Sequence, residues 1–524
     1  MANLFTSAVS GMNAAQLGIA TTEHNIANAS TPGFSRQQIV QAARNGQQTG
    51  AGFVGAGVDV SSVKRIYDQF LNAQVLQEQN QASYLTTYTT SMKQIDNLLS
   101  DPAAGASPAM QSFFDAMNGV SNNPQSVPAR QTLLSSAQFA INRFQSIDQR
   151  LTDIANGNTA QISSSVTTIN TYAQQIATLN GSIKRSISSS VGQQPNDLID
   201  QRDQVISKLS LEIKTSAVQQ SDGTMSVFVG NGQALVINEQ GMQLQTLQSP
   251  NDPSKVEIAY LSNGVSIPLQ QSSLQGGNLG AYLVFRDQSL EPARNALGRV
   301  ALGLASSINQ QNSLGQDLNG QPGASLFNMG LPRIDKASTN TGTAVASAAI
   351  ANVSALTTSD YQLSFDGASY TMLRLSDNAV TNLGAALPTN VIVDGFKVSL
   401  TAGAIAGDRF LIKPTSTGAR DISLITSDPT KIAAALPLRA TAVISATTPA
   451  GQAATVAGMA VSTPTNANLA APVTITFASP TTYTVTGAVP AVAGVQTYTA
   501  PNISYNGWTM QLAGVPVTCI VQPL

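Results

Sequence analysis

One apolar stripe constrains this chain more than any other feature. Phe144, Ile147, Leu151, Ile154, Ile162, Val166, Ile169, Ile176, Leu179 and Ile183 recur at three, four, seven or eight positions, which keeps them on one face of a single α-helix. The helix is expected from about Ala129 to Ile183. At about 1.5 Å per residue it would be about 80 Å long, more than the width of a compact domain. A rod-like helical bundle therefore fits better than a globule.

Other helices share the pattern. Between Tyr67 and Leu99 the residues Leu85, Tyr88, Met92, Ile95 and Leu99 alternate three and four apart. Leu290, Leu297 and Leu304 stand seven apart, with Ala293 and Val300 between them. From Asn3 to Ala29, Phe5, Met12, Ile19 and Ile26 keep a strict seven-residue interval, and Ala8, Ala15, Thr22 and Ala29 take the intervening positions. That is a coiled-coil seam with small partners. No charge pairs border it, since Glu23 is its first charged side chain. Its stability must come from burying the large side chains against something else, at about 1.5 to 3 kcal/mol each. The segment is expected to stay disordered until a partner arrives. It should stop near Ser30, because Thr31 precedes Pro32 and is pushed out of the helical region, and Pro32-Gly33 suits the centre of a type II turn.

Strand signals fill the rest. Gly50, Gly52 and Gly55 spell GxGxxG, but the segment runs on as VGAGVDVSSV, with no helix opening on the glycines. A glycine-rich hairpin is expected there, not a dinucleotide site. Gly230-Asn231-Gly232 and Asn263-Gly264 mark two further hairpins. Beyond Asp317 the chain reads as β, and it repeats: Phe365 and Phe477, Phe396 and Trp508, and Leu400 and Leu512 each stand 112 positions apart. The second copy departs from the first where Gly407-Asp408-Arg409-Phe410 gives way to Thr518-Cys519-Ile520-Val521. It is expected to be cut short.

Composition narrows the chemistry. Charged residues make up 10% of the chain and the formal charge is -2, where ordinary domains are about a quarter charged. No basic stripe exists to release counterions from a nucleic acid. A polar but nearly uncharged surface suits regular self-association. With Cys519 alone, neither an intrachain disulfide nor a cysteine metal site can form. The opening residues lack Lys and Arg, and no apolar run reaches the roughly 18 residues that span a bilayer. Neither a cleavable secretory signal nor a membrane anchor is expected.

Catalysis finds few candidates. His24 is the one histidine and falls at an outward position of the first helix. In GQDLNGQPG, Gly320 follows Asp317 by three positions and no Glu closes the motif, so a polar turn is expected in place of a calcium loop. Asp197, Asp200, Arg202 and Asp203 crowd the start of a helix, where acids complement the helix dipole and Arg202 can pair with a neighbouring carboxylate. No catalytic residue, metal or cofactor is assigned.

The ordered motifs resemble a known family. The run from His24 through Asn28 and then Ser30 to Gln37, with Phe34 where Tyr is usual, is similar to the signature of bacterial flagellar axial proteins. Ser35-Arg36-Gln37, NDLIDQRDQ, LGAYLVFRD with ARNALG, and GQDLNGQPG resemble the FlgK family of hook-associated junction proteins, and FLIKPTSTGARDISLITSDPTKIAAA carries the likeness to about residue 436. The resemblance implies a non-enzymatic structural role. Subunits would pass unfolded through the flagellar export channel to the outside of the cell and form a ring between hook and filament. Partners would be other copies of the chain, the hook protein, a second junction protein and through it the filament, and an export chaperone if its C-terminal site is present. Phe5, Ala8, Met12, Ala15, Ile19, Asn25, Ile26 and Asn28 would form the assembly interface, the uncharged amides fixing register without the desolvation cost of a charge. Thr31, Pro32, Gly33, Phe34 and Arg36 would form the turn, with Phe34 as its anchor. The family closes with a C-terminal helix that packs on the first, and this sequence ends in β-like residues, which reads as a truncated, frame-shifted or partial chain.

The expected fold is multidomain α+β, with elongated coiled-coil and bundle core domains and β-rich outer domains. Residues 1–35 would be the axial helix, 36–210 the long-helix bundle, 211–285 a β-hairpin segment and 286–330 a returning helix and loop. Residues 331–440 and 441–524 would be the two β units. The alternatives are another axial protein of the hook, rod or flagellin type, or a secreted β-rich adhesin or antigen whose working surface is the tail from Thr441.

Overall fold

A computed structural model describes residues 2–49, 52–101, 105–189, 193–262, 264–442, 455–463, 466–514 and 518–523. Gly50 of the glycine motif, Asn263 of the second hairpin turn and much of the start of the Thr441 tail lie outside them. The chain forms two compact units, Met1–Asp96 with Thr152–Glu291, and Asn97–Leu151 with Pro292–Leu524. Helices and antiparallel sheets share the chain, as the α+β reading requires.

The longer helices are α1 (Ala2–Ala27), α2 (Gln69–Leu99), α3 (Ala106–Asn122), α4 (Val127–Ser189), α5 (Asn196–Glu212), α6 (Gly277–Phe285) and α7 (Glu291–Ser313). At 63 residues, α4 outruns the predicted span at both ends. A π turn at Arg286–Leu290 joins α6 to α7. α3 carries only a short apolar pattern and was not among the expected helices.

In the first unit, Ile162, Val166, Ile169 and Ile176 of α4 pack with Ile206 and Leu209 of α5 and with Val227, Val236, Leu244 and Ile258 of two small sheets. Those sheets are a four-stranded meander, Thr215–Gln219 to Gln240–Gly241, and a three-stranded one, Gln243–Gln248 to Val265–Pro268. Polar side chains of α4 finish the strand bonding. Asn180 is fully buried, donates to the Met225 and Asn238 carbonyls at 2.8 and 2.6 Å, and accepts from Met225 N–H at 3.0 Å. Asn170 does the same for Leu244, with both bonds at 2.8 Å. These two amides are tolerated because each of their polar atoms finds a partner.

The predicted seam of α2 is corrected at two places. Leu85 and Leu99 are 49% and 42% exposed, while Asn80 and Ser91 are buried. Around Asn80 the cause is the end of α5, whose last carbonyls lack helical partners. Asn80 donates to Ser210 O at 2.5 Å and Ser83 to Leu211 O at 2.9 Å, so this face of α2 must be polar. Val300 on α7 is likewise 46% exposed, while Leu290, Leu297 and Leu304 are buried.

In the second unit the β repeat is a repeat of topology. The first copy has a five-stranded sheet ordered Arg333–Lys336, Arg409–Lys413, Tyr361–Phe365, Tyr370–Arg374, Val380–Gly384, and a three-stranded sheet ordered Ala346–Ile350, Phe396–Leu400, Val391–Val393. The second has Leu438–Ala442, Cys519–Pro523, Val473–Ser479, Thr482–Thr486, Gln496–Thr497, and then Thr455–Val461, Trp508–Ala513, Asn502–Tyr505, in the same orders. Phe396 and Trp508 are both fully buried. Asp394-Gly395 and Asn506-Gly507 make the same turn, with φ of 43° and 88° against 46° and 85°. Cys519–Pro523 takes the place in the second copy that Arg409–Lys413 takes in the first. Val473 and Ile475 pair with Val521 and Cys519 as Tyr361 and Leu363 pair with Ile412 and Phe410. A shorter connection explains the altered residues, since Phe410 follows Leu400 by ten positions and Cys519 follows Leu512 by seven.

Candidate functional site

α1 has two faces of different composition. Ser10, Ala14, Gly18, Thr21, Asn25 and Asn28 recur at three and four positions, and Ser10 and Ala14 are buried. This face meets a hairpin made by Gln37–Ala43 and Val58–Arg65. Its small residues permit the close approach: Val58 N–H donates to Ser10 Oγ at 3.2 Å, and a Cβ added at Gly57 would fall 2.2 Å from that oxygen. The segment is helical here, with its small face against its own chain.

The other face is bare. Phe5, Met12, Ile19 and Ile26 are 71%, 59%, 70% and 72% exposed, and Ala8 and Ala15 beside them are exposed. Asn25 and Asn28 lie on the other side and are bonded within the chain. Asn25 donates to Gln37 O and accepts from Gln37 N–H, both at 2.8 Å, starting the first hairpin strand. Asn28 donates to His24 O at 3.0 Å and accepts from Thr31 Oγ1 at 3.3 Å, closing the helix end.

The turn forms as its residues dictate. Phe34 N–H donates to Thr31 O at 3.2 Å, and Gly33 has φ of +83°, the left-handed value a type II turn requires at that position. His24 meets the edge of the half-buried Phe34 ring, with centroids 5.4 Å apart. Arg36 is exposed, and its carbonyl accepts from Ile66 N–H at 2.8 Å.

What receives this turn is the acidic start of α5. Asp197, Asp200 and Asp203 stand three apart on one face. Asp197 Oδ1 accepts from Gln37 Nε2 at 2.8 Å and lies 3.2 Å from His24 Nε2. Asp200 accepts from Ser35 N–H at 2.9 Å and from Arg65 Nη1 at 2.5 Å. Asp203 takes the other Arg65 nitrogen at 3.0 Å. Asn196 donates to Val63 O at 2.9 Å. Arg65 is 10% exposed in its side chain, stacks 4.7 Å over Tyr67, and spans two carboxylates that are themselves 7% and 14% exposed. Arg202 sits behind at 1%, donating to Gly223 O at 2.8 Å, and burial pulls its guanidinium pKa below the ordinary value against the opposing pull of Asp203.

The sequence pointed to the helix-cap role of these acids and to a pairing for Arg202. Their larger role, holding the N-terminal turn, depends on partners 135 to 173 positions away, and no local pattern signals such contacts. His24, expected outward, faces Asp197 and Phe34 of its own chain. Among the described residues, no group of three or more His, Cys, Asp or Glu is placed to hold a metal ion, and no helix is long and apolar enough to cross a membrane.

Known proteins resemble this chain. Residues 92–327 match the flagellar hook-associated protein FlgK helical domain, 336–414 the D2-like domain of flagellar hook-associated protein 1, and 5–34 the flagella basal body rod protein family. Flagellar hook-associated protein 1 of Salmonella typhimurium is 36% identical over 437 residues, covering 83% of this chain and 79% of the relative. The chain belongs to the flagellar hook-associated protein 1 family. Its Escherichia coli relative is 34% identical over 436 residues, covering 83% of this chain and 80% of the other. The solved flagellar hook junction protein FlgK of Burkholderia pseudomallei superposes with a TM-score of 0.75 at 33% identity, over 86% of this chain and 88% of that one. As a hook-associated protein this is a flagellar component, and the families it matches are structural. The rod-protein match falls on α1 and its turn and includes His24, which lies beside Asp197 of α5.

Proposed function

We propose that this chain is a non-catalytic adaptor of the hook–filament junction that assembles through the uncovered stripe of α1. The observation that carries this is the exposure of Phe5, Met12, Ile19 and Ile26 at seven-residue spacing on a helix whose other face is already packed. Four large apolar side chains held in water on one stripe are stabilised when a neighbour covers them, by about 1.5 to 3 kcal/mol each at full burial. Ala8 and Ala15 leave room for a close helix–helix approach.

In this proposal Asn25, Asn28, Thr31, Pro32, Gly33 and Phe34 shape and anchor the segment, and Arg36 stays available at its edge. α1 and its turn are the part that enters the axial tube, and the two β units are outer domains. The partners are further copies of the chain in a ring, the hook protein, and a second junction protein that leads to the filament. Export in the unfolded state, with a chaperone, would bring the chain to the extracellular flagellum. The name of the Burkholderia relative, a hook junction protein, supports that location.

Ile26→Asp tests the reading in cells whose own copy is deleted. The charge sits on an exposed position, so the variant should be exported at the normal level, yet filaments should not attach. Filaments attached at normal frequency by this variant would remove the α1 stripe from the assembly mechanism.

A further inference from the structure

The stripe of α1 holds one side chain that differs from the rest in chemistry. Phe5, Ile19 and Ile26 are hydrocarbon, whereas Met12 carries a thioether sulfur in the middle of the stripe. Met12 is 59% exposed. Its neighbours one turn away on either side, Ala8, Val9, Ala15 and Gln16, are exposed as well, so the sulfur is open to small solutes. The other methionines are placed differently. Among the described residues Met225, Met372 and Met510 are buried, the others are half-buried, and Met12 alone is exposed. Met1 lies outside the described residues.

Exposure decides which thioether a peroxide reaches first. The sulfur lone pair attacks one peroxide oxygen, and the O–O bond breaks as the S–O bond forms. The displaced hydroxide takes the proton of the transferred oxygen and leaves as water. Sulfur is oxidised by one electron pair and the peroxide is reduced by it. Phe5, Ile19 and Ile26 have no sulfur to react in this way.

The product is a strong hydrogen-bond acceptor on a side chain that was apolar. In the free subunit water bonds it. The packed face of α1, with Ser10 and Ala14 buried, lies on the opposite side of the helix, so the fold is left intact. Once a neighbour covers the stripe, the new oxygen loses its water against an apolar surface and gains no donor in exchange.

We infer that Met12 is a methionine oxidation site, at which a peroxide converts the thioether to the sulfoxide and takes the subunit out of assembly until the sulfur is reduced. This rests on the proposal that the α1 stripe is the assembly surface, and it adds a chemical control on that surface.

The test treats the purified full-length chain with hydrogen peroxide, quenches with free methionine, and follows each methionine by peptide mass spectrometry. Met12 is expected to convert at least tenfold faster than Met372 and Met510, and an equal rate overturns the inference. Treated and untreated chains are then offered to cells that carry hooks but lack their own copy. Treatment should lower the number of attached filaments at least tenfold, and a methionine sulfoxide reductase should restore it. Met12→Leu, treated in the same way, should lose none of whatever attachment it starts with. A loss equal to that of the parent would place the effect on another methionine and overturn the inference. Undiminished attachment by chain oxidised at Met12 also overturns it, while the α1 reading still stands or falls with Ile26→Asp. An untreated chain that attaches no filaments overturns the assembly reading itself, and this inference with it.

Discussion

α1 and α4 carry the same kind of apolar pattern and meet different fates. Leu151, Ile162, Ile169, Ile176 and Ile183 of α4 are fully buried within their own chain. Phe5, Met12, Ile19 and Ile26 of α1 are more than half exposed. Both helices have a face that must be covered, but α4 is covered by its own units, and the bare face of α1 is left for other molecules. A seven-residue pattern thus reports the need for a partner and not where the partner comes from.

The comparison breaks most sharply with a charge on each stripe. Ile169→Asp places a carboxylate in a closed core and should cost about 4 kcal/mol or more, enough to prevent a cooperative urea transition. The same change at Ile26 should leave the unfolding free energy measured in urea within about 0.5 kcal/mol of the parent. If both variants unfold alike, the stripe of α1 is part of a core and the contrast is lost.

Smaller effects sharpen what holds α1 in place. Arg65→Ala leaves Asp200 and Asp203 buried without their shared cation, which should cost about 3 kcal/mol in urea unfolding. It should also raise proteolytic cutting near Ser35, because the receiver of the turn is weakened. Gly33→Ala puts a side chain at φ of +83° and 3.0 Å from Gln204 Cβ. A loss of about 1 kcal/mol is expected, read by thermal unfolding. Unchanged stability there would mean that the turn is free to re-form in another geometry.

Much of the architecture was legible because it is local. The long helix, the Thr31-Pro32-Gly33 turn and the β repeat each follow from residues within a few positions of one another, or from plain recurrence. The exposure of Leu85 was not legible, since the polar side of α2 answers orphan carbonyls at the end of α5. Nor could the shortened connection before Cys519 be told from a broken copy until Val473 and Ile475 were seen to pair with that strand. At the site, the stripe of α1 stood out by spacing, but its small-residue face did not, because Ser10, Gly18 and Thr21 look like ordinary helix surface until Gly57 and the hairpin are placed against them.

The sequence by itself determined where most of the helices run, where the first one stops and that two β copies exist, because backbone periodicity and Pro-Gly turn chemistry act between near neighbours in the chain. Only the tertiary structure decided which stripe is covered and which is offered outward, and that Asp197, Asp200 and Asp203 receive the turn. Those outcomes depend on groups more than a hundred positions apart meeting in space, where burial and ion pairing act by distance and not by order along the chain.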